Sequence, residues 1–206
     1  MRHAKALARQ AARSAGTPFA ATIVPTGSMI PVGSLREIDH ANMVRRLKRA
    51  LVGLPFDWMA GGFDYSLNEH KSERYDPHWL PHLYLIGAAD DIPRLRHELS
   101  RRFSANDAVP RPVKVKPWDG RWNAPFYTLK VSAYRRVGVD DGERFDPKSG
   151  KLRFCRNTEQ QRLRSAERLE LNLHLDDLGI SRRLFAARAQ LHHRGRRTEI
   201  RPIDAW

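Results

Sequence analysis

Four segments of the chain carry the patterns of β-strands: residues 57–70 and 112–118 alternate apolar and polar residues, residues 18–24 are rich in β-branched residues, and residues 79–87 are largely apolar. The clearest is residues 57–70, where Phe63 and Tyr65 alternate with Asp64 and Ser66. The pattern therefore predicts a four-stranded sheet.

Two segments with apolar residues at helical spacing separate these strands. Residues 36–54 place Met43 and Leu47 on one side and arginines on the other. Residues 90–103 begin with aspartates that can cap a helix and carry Pro93 in the first turn. The order β-α-β-β-α-β is the split βαβ pattern, so we predict an α+β fold of ferredoxin-like type, with an antiparallel sheet and helices on one face.

The predicted core, residues 18–138, lies between two basic segments. Residues 1–17 contain no acid and are interpreted as a basic N-terminal arm, with a transit peptide or a leading helix as the alternatives. Residues 139–206 are expected to form a basic C-terminal extension. It would comprise a turn-rich loop, an amphipathic helix capped at Thr158 and stopped at Gly179, and an arginine-rich end.

Charge points to a polyanionic partner. The chain has 37 Lys and Arg against 23 Asp and Glu, a net charge of +14 that is spread along its length. Charge alone is also compatible with a basic protein that docks on ribosomes or acidic membranes. The single Cys155 excludes an internal disulfide and favours a reducing, cytoplasmic setting. No apolar run reaches the roughly 18 residues of a membrane span, so a soluble protein is expected.

A histidine and a carboxylate lie on the same face of two predicted strands. On the strand that carries His82 and Tyr84, the neighbours Leu83 and Leu85 point into the core. If Asp64 on the paired strand comes up beside His82, the two form part of a site for a divalent ion such as Mg²⁺ or Mn²⁺.

Three motifs together resemble the rolling-circle replication initiators, the plasmid and phage members of the HUH endonucleases. The segments "GGFDYSLNEH" (61–70) and "PHWLPHLYLI" (77–86) resemble their acidic strand and their Trp-x-Pro-His-x-His strand. "APFYTLK" (124–130) resembles their third motif, a Tyr followed three residues later by Lys. The chain order of the motifs agrees with that family.

The resemblance implies nicking and resealing of single-stranded DNA. Asp64 and His82 would hold the metal, and the Tyr127 hydroxyl would attack phosphorus to leave a 5′-phosphotyrosine and a free 3′-OH. Lys130 would stabilise charge on the phosphate or the phenolate. Tyr127 and Lys130 share a face only in a helix, so the mechanism requires a helical segment there.

The sequence departs from the family pattern at the second histidine, which is Tyr84. A neutral phenol is a poorer ligand than imidazole, so His78 or Glu69 would have to complete the site. The alternative hypotheses are a catalytically inactive nucleic-acid-binding module of the same fold and an RNA- or ribosome-associated basic protein.

Two further segments predict contacts to nucleic acid. Residues 114–122 interleave cations with aromatic rings that can stack on unpaired bases; these are Lys114, Lys116, Trp118, Arg121 and Trp122. The arginine-rich C-terminal segment suits phosphate contacts; its candidates are Arg182, Arg183, Arg194, Arg196 and Arg197. A helix-Gly-helix outline around Gly179 also suggests a helix-turn-helix reader.

Overall fold

The computed structural model describes residues 2–25, 27–106, 109–128, 134–146, 151–194 and 197–203. Within these residues the chain forms five helices: α1 (Arg2–Arg13), α2 (His40–Leu51), α3 (Ile92–Arg102), α4 (Asn123–Tyr127) and α5 (Ser165–Arg183). The described strands are β1 (Thr17–Ile23), β2 (Ile30–Pro31), β3 (Trp58–His70), β4 (His78–Ala89), β5 (Val113–Pro117), β6 (Tyr134–Asp146), β7 (Lys151–Arg162), β8 (Leu184–Ala187), β9 (Ala189–Arg194) and β10 (Arg197–Pro202). The predicted α+β class is confirmed. Among the helices described, none is long and apolar enough to span a bilayer.

A mixed sheet organises the molecule. Its strands follow the order β5-β1-β4-β3-β6-β7, with β2 added to β4 and β8 added to β3. Neighbours along this order are antiparallel, except that β3 and β6 pair in parallel between residues 67–70 and 135–138. Strands β9 and β10 form a separate hairpin.

Local signals in the sequence start the two helices of the predicted core. The Asp39 carboxylate caps α2 by accepting a hydrogen bond from the Asn42 backbone N–H at 2.9 Å. The Asp91 carboxylate caps α3 in the same way, with 2.9 Å to the Arg94 N–H. Such caps satisfy backbone donors that have no partner inside the helix.

One face of the sheet is buried under α2, α3 and α5. The main core contains residues from all three helices and from the strands beneath them: Phe19, Met43, Leu47, Phe63, Tyr65, Leu83, Leu85, Leu95, Leu99 and Leu171. Burying each large side chain contributes about 1.5–3 kcal/mol before chain entropy is subtracted. This layer holds β1, β3, β4 and β5 together, so it fixes the side chains that point to the other face.

The other face is covered at one end by α1, α4 and the β9–β10 hairpin, so helices lie on both faces and not on one as predicted. Leu7 of α1 is fully buried against Trp58 and Ile86, and the Trp58 indole N–H donates to the Ser14 hydroxyl at 2.7 Å. Residues 2–13 are thus a packed helix and not a free arm. Their alanines and leucine repeat at helical spacing, which gives the helix an apolar stripe.

The C-terminal third contains more strand than the sequence indicated. The expected loop at residues 139–151 falls largely within β6 and β7, apart from 147–150, which lie outside the described residues. The predicted helix starts later, at Ser165, and Gly179 with φ of 64° breaks its regular backbone. Beyond Arg183 the described residues of the extension form the strands β8, β9 and β10 and no helix.

Candidate nucleic-acid interface

The middle of the second face is open and polar. Successive residues of a strand point to opposite faces, so the core residues on one face leave a second set on the other. This set runs across the sheet and comprises Lys114 on β5, Thr22 on β1, His82 and Tyr84 on β4, Asp64, Ser66 and Asn68 on β3, Arg136 on β6 and Gln160 on β7.

Most of these residues line a cleft of about 540 Å³, which we call the sheet-face cleft; Asp64 and Ser66 lie beside it on the same face and do not line it. Lys114, Arg111 and Arg136 bring positive charge to its walls, and Asn68, His82, Thr158 and Gln160 bring hydrogen-bonding groups. Among the described residues, those that line the cleft include no carboxylate. A positively charged concave surface of this kind attracts phosphate groups.

His82 forms a polar chain with β3. Its Nε2 lies 2.6 Å from the Ser66 Oγ, which also accepts a hydrogen bond from the Asn68 side-chain amide at 3.1 Å. Asp64 is the register partner of His82 on β3, as the sequence predicted for a paired strand. His82 is only 4% exposed, so its orientation is fixed by packing and by Ser66.

Tyr84 occupies the position of the second histidine in the family pattern. Its ring stacks beside that of His82, with centroids 6.2 Å apart and an interplanar angle of 14°. Burial raises the pKa of the Tyr84 phenol, and the nearby Asp64 carboxylate raises it further. The Arg136 guanidinium opposes these effects through its charge and a hydrogen bond to the phenol. Arg136 thus places a cation at the Tyr84 phenol.

Tyr127 approaches the same surface from α4. Its ring centroid lies 6.0 Å from that of Tyr84, and 48% of the residue is exposed. The turn is held by the buried Pro125, whose carbonyl accepts a hydrogen bond from the Thr128 hydroxyl at 2.7 Å. The segment from Asn123 to Tyr127 is therefore helical, whereas the mechanism requires a helix that continues from Tyr127 to Lys130. Lys130 lies outside the described residues.

A smaller depression joins Tyr127 to the sheet-face cleft. It is lined by Tyr84, Tyr127, Lys114 and Lys116. Tyr84 and Lys114 line both cavities, so the two are adjacent. The structure thus brings Tyr127, Tyr84, His82 and Asp64 to one face of the sheet, although they come from three separate segments.

The donor set does not fit a metal ion held by imidazoles. No group of three His, Cys, Asp or Glu able to hold a metal exists among the described residues. His82 Nε2 is occupied by Ser66, and the second imidazole is replaced by a phenol bonded to Arg136. Of the metal ligands expected from the sequence, Asp64 and His82 are the two that lie opposite each other on neighbouring strands.

The substitute ligands do not reach His82. His78 shares its face of β4 but lies four residues away, about 13 Å along a strand. Its Nδ1 is 2.8 Å from the Asp76 carbonyl oxygen. Glu69 points to the core face, where it pairs with Arg135.

Some side chains of residues 114–122 are exposed, and others pack or pair within the protein. Lys114 and Lys116 are exposed on the open face, and Trp122 is 48% exposed beside the Phe126 ring, 6.2 Å away. Trp118 instead packs against the second core, and its indole N–H donates to the Arg121 carbonyl at 2.8 Å. The Arg121 side chain pairs with Asp119 at 3.4 Å.

The C-terminal arginines do not join this face as a group. Arg182 lines a different cavity under α2 and α5, and Arg183 is buried. Arg194 and Arg197 are register partners at the end of the β9–β10 hairpin, and Arg196 lies outside the described residues. The helix-turn-helix interpretation is wrong, because β8 and not a second helix follows Arg183.

Several residues of the cleft were missed in the sequence. Arg136 and Gln160 lie on β6 and β7, which join the sheet through the parallel pairing of β3 with β6. Arg111 lies just before β5. The alternation of Arg136 with Val137 is a strand signal, but it does not reveal which strand is the neighbour. Ser66 was visible in the alternation and was not recognised as the partner of His82.

Comparisons with known proteins found no matching family model, no matching curated protein and no matching solved structure.

Proposed function

We propose that this protein binds single-stranded nucleic acid, with DNA as the first candidate, in the sheet-face cleft. The observation that carries the proposal is the cleft itself: an open, cationic groove on one face of a sheet whose other face is covered by α2, α3 and α5. Lys114, Arg111 and Arg136 would contact phosphates. A net charge of +14 would support rapid association with a polyanion.

Aromatic side chains at the edge of the cleft support an unpaired strand over a duplex. Tyr127, Trp122 and Phe126 are 45–48% exposed on and beside α4, and Tyr127 shares its depression with Lys114 and Lys116. Base stacking on such rings contributes about 1–3 kcal/mol per base and needs bases that are not paired. A strand that crosses the sheet would place its backbone over the cations and its bases against α4.

The strand order supports relationship to the replication initiators. The antiparallel order β5-β1-β4-β3, with α2 and α3 as the connections, is compatible with the ferredoxin-like arrangement expected for that family. Since one fold serves many functions, the argument for nucleic acid rests on the cleft and not on the fold.

A second candidate function is DNA nicking by Tyr127, as the resemblance implies. The observation that favours it is the meeting of the three motif segments, represented by Asp64, by His82 with Tyr84, and by Tyr127. The Tyr127 oxygen would form a bond to phosphorus and the P–O3′ bond would break, with the phenol proton ending on the 3′ oxygen through solvent. Arg136 and Lys114 are the described cations that can stabilise the phosphate during this step.

Binding is tested by fluorescence anisotropy with labelled oligonucleotides of one sequence, as single-stranded DNA, duplex DNA and single-stranded RNA. We expect the single-stranded DNA to bind most tightly. Lys114→Ala is expected to weaken it about tenfold, whereas Arg96→Ala, an exposed arginine of α3 on the other side of the sheet, should leave it unchanged. Preference for RNA would favour the RNA-associated alternative, and no binding would refute the proposal.

Nicking is tested by incubating the labelled single strand with the protein and Mn²⁺, then with EDTA, and separating the products under denaturing conditions. We expect a covalent protein–DNA adduct that disappears in Tyr127→Phe. An adduct that persists in Tyr127→Phe would contradict this role, and binding without any adduct would favour the inactive module.

A further inference from the structure

A second cavity lies on the opposite side of the sheet from the sheet-face cleft, between α2 and α5. Its volume is about 530 Å³, within the range of small-molecule sites. His40 and His174 form its buried floor, and Ile38, Val44, Leu178 and Leu184 form an apolar wall. Arg45 and Arg182 stand at its exposed rim. We call this cavity the two-histidine pocket.

One polar atom of the floor has no partner. His40 uses both ring nitrogens: Nε2 lies 2.7 Å from the Arg182 carbonyl oxygen and Nδ1 lies 3.4 Å from the Tyr65 hydroxyl. His174 packs edge-on against Tyr65 with ring centroids 4.8 Å apart, and its Nε2 is buried without a hydrogen-bond partner in the described protein. Leaving a buried polar group unsatisfied costs about 1–3 kcal/mol.

The charges around the pocket favour an anion. The carboxylate of Asp177 is paired with Arg36 at 2.5 Å, and that of Asp39 caps α2. Within the residues described, Arg45 and Arg182 form no ion pair. The rim therefore presents two guanidinium groups that form no ion pair, beside two carboxylates that are engaged by Arg36 and by the cap of α2.

The electrostatics of His174 agree with this assignment. Its pKa is lowered to about 4, chiefly by burial; the positive charge of His40 and Arg183 acts in the same direction, and Asp177 and Glu170 act in the opposite one. Burial also lowers the pKa of His40, while the hydrogen bond to the Arg182 carbonyl raises it and the Arg182 charge lowers it. An anion in the pocket would offset these positive charges.

We propose that the two-histidine pocket binds a small soluble anion with an apolar body. Its carboxylate, sulfonate or phosphate group would accept hydrogen bonds from Arg45, Arg182 and His174, and its apolar part would cover Val44 and Leu178. The pocket and the sheet-face cleft share no residue, so this site does not depend on the proposed binding of nucleic acid.

The proposal is tested by isothermal titration calorimetry of the full chain with naphthalene-1-sulfonate. Inorganic sulfate supplies the charged group alone, and 1-naphthol supplies the apolar body alone. We expect the complete probe to bind at least tenfold more tightly than either. Arg182→Gln and Arg45→Gln, both on exposed side chains, should each weaken it at least fivefold, and Arg96→Gln on α3 should not.

A second variant separates pocket binding from general charge attraction. Val44→Phe leaves every charge in place and fills the apolar side of the pocket, so binding of naphthalene-1-sulfonate should be lost. In NMR spectra, the ring resonances of His174 should shift on addition of the probe while those of the exposed His97 stay fixed. Binding that no pocket variant changes, or no binding at millimolar probe, would overturn the proposal.

Discussion

Single residues determine what chemistry the sheet-face cleft can perform. Tyr84 places a phenol beside His82, and Arg136 binds that phenol. A guanidinium provides fixed positive charge and hydrogen-bond donors, whereas a metal ion needs several lone-pair ligands. The residue pattern of the cleft therefore suits phosphate binding by side chains better than metal binding by imidazoles.

Introducing a histidine at residue 84 tests whether the side chains at this position can bind a metal ion. In Tyr84→His, an imidazole would lie beside His82 and opposite the Asp64 strand, so we expect Mn²⁺ affinity to rise at least tenfold. Mn²⁺ titration followed by electron paramagnetic resonance measures the change, with Tyr84→Phe as the matched control. Equal affinity in both variants would exclude a metal geometry at Asp64 and His82.

His174 makes stability depend on pH. Its pKa is about 4 in the folded protein, below the value of about 6.5 expected when unfolded, so between these values the unfolded chain binds more protons. Stability should therefore rise with pH through this window and fall as the pH is lowered from 6.5 to 4. We expect a loss of about 2 kcal/mol from this residue after allowance for solvent screening.

Urea unfolding at a series of pH values measures this effect by difference. His174→Leu removes the titrating ring, so its stability should change less between pH 6.5 and 4 than that of the unsubstituted protein. His97→Gln, at an exposed position of α3, should follow the unsubstituted curve. Parallel curves for all three proteins would contradict the assignment.

At the scale of elements, the sequence was informative where strands and helices are neighbours along the chain. The alternation at Phe63 and Tyr65, the helical spacing of Met43 and Leu47 and the aspartates that precede α3 located β3, α2 and α3. The parallel pairing of β3 with β6 was not predictable, because a pairing between distant segments leaves no local signal. The same reason hid Arg136 and Gln160 from the predicted site.

Helix α1 is an element whose role the charge pattern obscured. Its arginines suggested a solvated arm, but its small apolar residues pack on Trp58 and support α4, which carries Tyr127. Helical spacing of alanine and leucine was visible in the sequence. The packing partner was not, because it lies on the far face of the sheet.

Truncating Leu7 tests this structural role. Leu7 is fully buried, so Leu7→Ala should lower the free energy of unfolding by about 2–4 kcal/mol. Lys5→Ala, at an exposed position of the same helix, should change it by less than about 0.5 kcal/mol. Urea denaturation provides both values. A Leu7→Ala protein as stable as the Lys5→Ala protein would show that α1 is not docked.

At the scale of the molecule, the sheet separates two cavities of different chemistry. The sheet-face cleft is polar and cationic, and the two-histidine pocket is partly apolar and enclosed by helices. Excess positive charge was predictable from composition alone. Its concentration in the sheet-face cleft was not, because Lys114, Arg111 and Arg136 become neighbours only in the folded sheet.

The salt dependence of single-stranded DNA binding tests the central claim most directly. Each phosphate neutralised by a side chain contributes about −0.7 to the slope of log K against log salt for a single strand. Arg136→Ala should therefore reduce the magnitude of the slope by about 0.7, and Arg96→Ala should not change it. Equal slopes for Arg136→Ala and the unsubstituted protein would show that the strand does not bind in the sheet-face cleft.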